Sequence, residues 1–138
     1  MEPIADDAEW QRLARARFVS VGTVRRSGEV VRTPVWIAPL GDRLVLTSEV
    51  ATGKIKRLRH TDRVVLRVCD RFGKIDPGDP ELEGTGALVA DEATSAAATR
   101  ALRAKYGPQF TVVLAFERLV RRLQRRRSDR VIVTIDRR

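Results

Sequence analysis

The chain has 138 residues, 43% of them hydrophobic, which fits one domain around one core. Its 27 Lys and Arg outweigh 18 Asp and Glu, giving a formal net charge of +9 that invites a polyanionic partner. No stretch is apolar enough to span a membrane, the acidic start MEPIADDAEW lacks the order of a signal peptide, and one cysteine excludes an internal disulfide, so a cytoplasmic protein is expected.

Asp6 to Arg17 reads as a short helix, with Asp6 or Asp7 as its cap and Ala8, Leu13 and Ala16 near one stripe. FVSVGTV, Phe18 to Val24, alternates apolar with small or polar residues and reads as a strand. Ser27-Gly28 marks a turn into EVVRTPVWIA, Glu29 to Ala38, a second strand that completes a hairpin. Pro34 lacks an N–H, so its strand must lie at an edge or a bulge. Gly41-Asp42 turns into RLVLTS, Arg43 to Ser48, and the short turns predict an antiparallel meander. In TGKIKRLRH, Thr52 to His60, Ile55 and Leu58 stand three apart in a basic short helix.

RVVLRVCD, Arg63 to Asp70, is the fourth strand, and GKIDPGDP, Gly73 to Pro80, is a loop expected to be a solvated turn. EGTGALVA, Glu83 to Ala90, is the fifth strand. Asp91 to Tyr106 is a helix, capped by Asp91 or Thr94 and stopped by Gly107-Pro108. Gln109 to Arg122 is helix or mixed, and RVIVTI, Arg130 to Ile135, is the last strand. Mostly antiparallel strands with inserted helices predict a mainly β fold, a small closed or split β-barrel. Residues 1–138 form its single domain, with 1–17 as an N-terminal helix.

Much chemistry is excluded. A lone His60 and a lone Cys69 cannot make the usual tetrahedral zinc site, so no metal is expected. There is no P-loop, no dinucleotide-binding glycine pattern and no nucleophile elbow. Cys69 reads as a small core residue and His60 as surface. No side chain is assigned as catalytic; if the protein is an enzyme, a cofactor must carry the reaction. The 23 Arg against only 4 Lys point to compositional bias as a source of the charge, and four Phe, two Trp and one Tyr do not interleave with it, so nucleic acid is not the expected partner.

Two of the four lysines, Lys54 and Lys56, fall in TGKIKRLRH. The N–H groups of Gly53 and Lys54 and the hydroxyl of Thr52 could cradle a phosphate at a helix start. Lys54 and Arg57 share a face, Lys56 flanks them, and Thr47-Ser48 end the strand before. The other reading is a short amphipathic helix over a barrel end with its cations in water. Spacing alone leaves both open.

Six motifs, in order and at their spacings, tip the balance: RTPVW (Arg32 to Trp36), DRLVLTS, TGKIKRLR, RVVLRVCDRFGK (Arg63 to Lys74), LEGTGALV (Leu82 to Val89) and ALRAKYG (Ala101 to Gly107). From about Phe18 to Ile135 the chain resembles the pyridoxamine 5′-phosphate oxidase-like flavin-binding split barrels, and looks most like the branch using the deazaflavin coenzyme F-420. The resemblance implies an F-420-dependent oxidoreductase transferring a hydride to or from a small unsaturated organic substrate. The alternatives are an FMN oxidase or reductase of the same fold, and a non-enzymatic flavin or deazaflavin carrier. It implies that Arg32, Thr33, Pro34, Val35 and Trp36 lie along the coenzyme ring, and that Thr47 and Ser48 are the strand-end hydroxyls. Thr52, Gly53 and Lys54 match the phosphate turn, which reads Ser-Arg-Lys in flavin-using relatives, and Lys56 and Arg57 would reach toward an anionic tail. It also implies a homodimer with the site between subunits. The run RRLQRRRSDR, Arg121 to Arg130, is unusually basic for the pattern.

Overall fold

A computed structural model describes residues 7–124 and 129–137. Asp6, one of the two expected caps, and residues 125–128 of the basic run lie outside the described residues. The elements run α1 (Asp7–Arg15), β1 (Phe18–Val24), β2 (Val30–Val35), β3 (Ala38–Leu40), β4 (Arg43–Glu49), α2 (Gly53–Leu58), β5 (Arg63–Cys69), β6 (Leu82–Leu88), α3 (Glu92–Tyr106), α4 (Pro108–Leu123) and β7 (Arg130–Arg137). Seven strands form one antiparallel sheet in the order β2-β1-β5-β6-β7-β4-β3.

Strands β2 and β3 stand at opposite ends of that sheet, yet only Trp36 and Ile37 separate them in the chain. Consecutive Cα atoms are about 3.8 Å apart, so the two ends lie within roughly 11 Å and the sheet must curl on itself. This is the mainly β, split-barrel architecture the motif order predicts.

The expected continuous strand from Glu29 to Ala38 is therefore corrected, and so is the simple meander. The strand changes partner midway: β2 pairs with β1, and β3 pairs with β4. Pro34 lies opposite Ser20 on edge strand β2, where no second neighbour needs its missing N–H. At the break, α3 takes over the backbone groups. The N–H of Ile37 donates to Tyr106 Oη at 3.0 Å, and its carbonyl accepts from Lys105 Nζ at 2.5 Å.

Both faces of the sheet are buried, which is why β4 reads as a nearly continuous apolar run. Leu44 and Leu46 face the interior with Val19, Val21, Leu66 and Ile135, closed by Trp10 and Leu13 of α1 and Ile55 and Leu58 of α2. Val45 and Ile132 face outward against Ala98 and Leu102 of α3 and Phe110 of α4. Each such buried Val, Leu, Ile or Phe side chain contributes about 1.5–3 kcal/mol.

Asp91, not Thr94, caps α3: its carboxylate accepts from Thr94 N–H at 2.8 Å. Gly107, at φ 66°, turns the chain into α4, where Pro108 takes the first helical position. The segment left as helix or mixed is thus fully helical. The acidic loop is more than a solvated turn, because Asp79 is buried and pairs with Arg12 of α1 at 2.5 Å. No helix among the described residues is long and apolar enough to cross a membrane.

Candidate functional site

The basic stretch folds as a single helix of six residues, α2, anchored by buried Ile55 and Leu58. So short a helix has little dipole of its own, and any anion there must be held mainly by side chains. Thr52 ties α2 to the preceding strand. Its hydroxyl donates to the Glu49 carbonyl at 3.1 Å and lies 3.1 Å from buried Ser48 Oγ. Arg57 Nε donates to buried Thr23 Oγ1 at 2.6 Å, and its guanidinium folds back over Gly53. A Cβ at position 53 would stand 2.8 Å from a terminal nitrogen of Arg57, so the glycine leaves room that Arg57 fills.

Lys54 is half-buried, and its ammonium finds no hydrogen-bond acceptor among the described residues. Burial lowers its pKa, and the neighbouring charges of Arg130 and Arg57 lower it further. Arg57 is also shifted down, first by burial and then by Arg25. Lys56 is exposed. Lys54, Arg57 and Arg130 thus form a cationic cluster whose central member lacks a counter-ion.

A cavity of about 270 Å³ opens beside it. Pro34, Val35 and Trp36 form one wall, Phe110, Val113 and Leu114 of α4 another, and Thr47 and Arg130 the floor. Trp36 is fixed from behind by Tyr106, stacked at 4.7 Å with the rings 12° apart, and by Phe110 at 6.3 Å. Tyr106 is itself fixed at the strand break. Its hydroxyl accepts from Ile37 N–H and lies 2.8 Å from the Arg17 carbonyl and 3.1 Å from that of Ile37. Burial pushes its pKa up to about 12, so it stays a neutral phenol and serves to position Trp36. Arg130 donates to Thr47 Oγ1 at 3.2 Å and to Glu117 at 2.6 Å, and so joins the cavity floor to the Lys54 cluster.

The structure therefore brings Pro34, Val35, Trp36 and Thr47 together in one cavity; Lys54 and Arg57 are not in its lining, and Lys54 is related to it through its neighbour Arg130, which is. Ser48, Thr52 and Gly53 hold the β4–α2 junction instead. Arg32 points to Glu81, 3.0 Å away. Thr33 pairs with core residue Val21 and shares its face, and its buried hydroxyl has no partner among the described residues. Sequence reasoning offered the C-terminal arginines and the segment around Tyr106 only as unplaced candidates from a partner chain, and it missed Phe110. Arg130 was hidden in a run of arginines, although its place at the start of the last strand distinguishes it. Burial and then Asp70 raise the Cys69 pKa, so its thiolate is disfavoured. His60 is exposed beside Arg26, at 3.2 Å. Among the described residues no His, Cys, Asp and Glu group could hold a metal ion.

The family model for pyridoxamine 5′-phosphate oxidase matches residues 6–136. The chain belongs to this family. Solved structures carry the same fold at low identity. The conserved hypothetical protein Rv2991 of Mycobacterium tuberculosis superposes with a TM-score of 0.68 at 19% identity, covering 98% of this chain and 82% of that one. HutZ, a heme storage protein of Vibrio cholerae, gives 0.67 at 8%, covering 96% and 89%. A FAD-binding protein of Mesorhizobium loti gives 0.63 at 14%, covering 98% and 90%. No curated protein matches the sequence. Proteins of this fold thus include one described as storing heme and one described as binding FAD.

Proposed function

We propose that this member of the pyridoxamine 5′-phosphate oxidase family binds the phosphorylated deazaflavin coenzyme F-420 and works as an oxidoreductase on a small unsaturated organic substrate. The observation that carries the reading is Lys54. A half-buried ammonium, depressed by burial and by two guanidiniums and lacking an acceptor, is stabilised by an incoming anion. A phosphate fits that place, and the amides of Gly53 and Lys54 are at hand. Gly53 favours the deazaflavin over FMN. Where flavin-using relatives have arginine, this chain has a glycine covered by Arg57, which moves the cation.

The bound coenzyme supplies the hydride chemistry. The chain does the rest. Lys54 and Arg57 fix the phosphate, Pro34 to Trp36 give the ring a flat wall, and Tyr106 holds Trp36 in place. Phe110, Val113 and Leu114 keep water from the ring face.

The cavity lies below the roughly 300–1,000 Å³ of ordinary small-molecule sites, so a further wall is needed. We propose that a second copy of the chain supplies it, as a homodimer. Helix α4 exposes Val112, Phe116, Leu119 and Leu123 at helical spacing, and its Val113 already lines the cavity.

Titration of the purified protein with F-420, followed by quenching of the coenzyme's fluorescence, tests the reading. Saturable quenching is expected, with FMN binding more weakly. Absence of quenching together with a yellow, FMN-loaded preparation would instead establish the FMN alternative.

A further inference from the structure

A second cavity, of about 250 Å³, lies between α3, α4 and the outer face of β4 and β7. It shares Thr47, Phe110, Leu114 and Arg130 with the first cavity, but the α3 residues and Arg118 that line it make no proposed coenzyme contact. Ser95, Thr99 and Arg103 follow each other at a spacing of four along α3 and so share a face. Phe110, Leu114 and Arg118 do the same along α4. Thr47 and Arg130 enter from the sheet.

Three guanidiniums therefore line a chamber that has no Asp or Glu in its wall. Arg130 is answered from outside by Glu117 at 2.6 Å and Glu49 at 3.9 Å. The side chains of Arg103 and Arg118 have no ion pair or hydrogen bond among the described residues. The hydroxyls point the same way. Thr47 Oγ1 accepts from Arg130 Nε, which frees its own proton to donate. The Ser95 hydroxyl has no partner among the described residues, whereas Thr99 spends its proton on the Ser95 carbonyl at 2.9 Å. Two unanswered cations and two available hydroxyl donors beside an apolar wall match an oxyanion carried on an apolar body.

We propose that this chamber binds the carboxylate or phosphate of a small organic anion, held by Arg103, Arg118 and Arg130 with its apolar body against Phe110 and Leu114. Phe110, Leu114, Thr47 and Arg130 also line the neighbouring cavity, so a ligand longer than the chamber runs on toward Trp36. Anion binding stands on these residues alone; that the anion is the substrate of the redox reaction rests on the coenzyme reading above.

The test is an amide NMR titration of the full chain, free of coenzyme, at about 0.15 M salt to suppress loose surface pairing. Benzoate probes a carboxylate, phenyl phosphate a phosphate, and benzamide a neutral body of the same shape. Saturable shifts at Ser95, Thr99 and Leu114 are expected with at least one anion, and binding of benzamide should be about ten-fold weaker or less. The double variant Arg103→Gln/Arg118→Gln should lose about ten-fold in affinity for that anion, and Arg118→Gln alone a part of it, while Lys54→Ala keeps it. No shifts, equal binding of benzamide, or unchanged affinity in both arginine variants overturns the proposal. So does loss of binding in Lys54→Ala, which would place the anion at the α2 turn. Because no coenzyme is present, a failed F-420 titration leaves this result intact, and the reverse also holds.

Discussion

At the scale of single residues, two lysines carry opposite lessons. Lys54 stands out in the sequence as one of only four lysines, next to a glycine after a strand ending in hydroxyls. Removing its charge in Lys54→Ala should weaken F-420 binding by roughly 1.5–3 kcal/mol, the scale of a charge-assisted hydrogen bond, and a titration reads this directly. Its pH dependence has a definite sign. Phosphate binding favours the protonated ammonium, whose pKa in the free protein lies below the ordinary 10.5. Affinity should therefore fall, as pH rises, earlier than an ordinary lysine would dictate. Lys54→Arg, which stays charged, should flatten that profile; an equally pH-sensitive variant would assign the titration to another group. Lys105 was illegible, because its role depends on three carbonyls far away in the chain. Its ammonium donates to Ala14 at 2.8 Å and to Ala16 and Ile37 at 2.5 Å, and burial pushes its pKa down to about 8. Between about 8 and 10.5 the unfolded chain holds a proton that the folded chain has released, so stability should rise with pH across that window and be flat below it. Urea midpoints of the wild type should gain on those of Lys105→Met above about pH 8, and a constant difference would contradict this.

At the scale of elements, periodicity was readable and the interruption was not. Alternation located β1, runs of apolar and β-branched residues bounded by turns located the other strands except the separate β3, and Gly107-Pro108 correctly ended α3. The break after β2 left no local signal beyond Pro34, since the groups that satisfy Ile37 come from the end of α3. Tyr106 closes that break and backs Trp36 at once. Tyr106→Phe keeps the stacked ring but strips the Ile37 N–H of its acceptor. It should cost about 1–3 kcal/mol of stability in a urea melt and leave coenzyme affinity nearly unchanged. A variant as stable as wild type would mean that water replaces the hydroxyl. The Asp79–Arg12 pair was also invisible in sequence: a loop rich in Pro, Gly and Asp reads as solvated until α1 is seen to cover it.

At the scale of the whole molecule, the order of strands and inserted helices, with the family resemblance of the motifs along it, pointed to the split barrel. What it left undetermined is what covers α4, since an apolar stripe on one chain does not say what lies against it. If a second copy does, Phe116→Glu should convert a dimer into a monomer in sedimentation and weaken coenzyme binding with it; a variant that stays dimeric would move the interface elsewhere. The central claim is that one chain's Lys54 cluster and Pro34–Trp36 wall together hold a phosphorylated deazaflavin. A crystal structure of the protein with F-420 tests it most directly. The account predicts phosphate density within hydrogen-bonding reach of Lys54 Nζ and the ring laid against Pro34, Val35 and Trp36. A phosphate bound away from Lys54, or a ring bound away from Trp36, would contradict it.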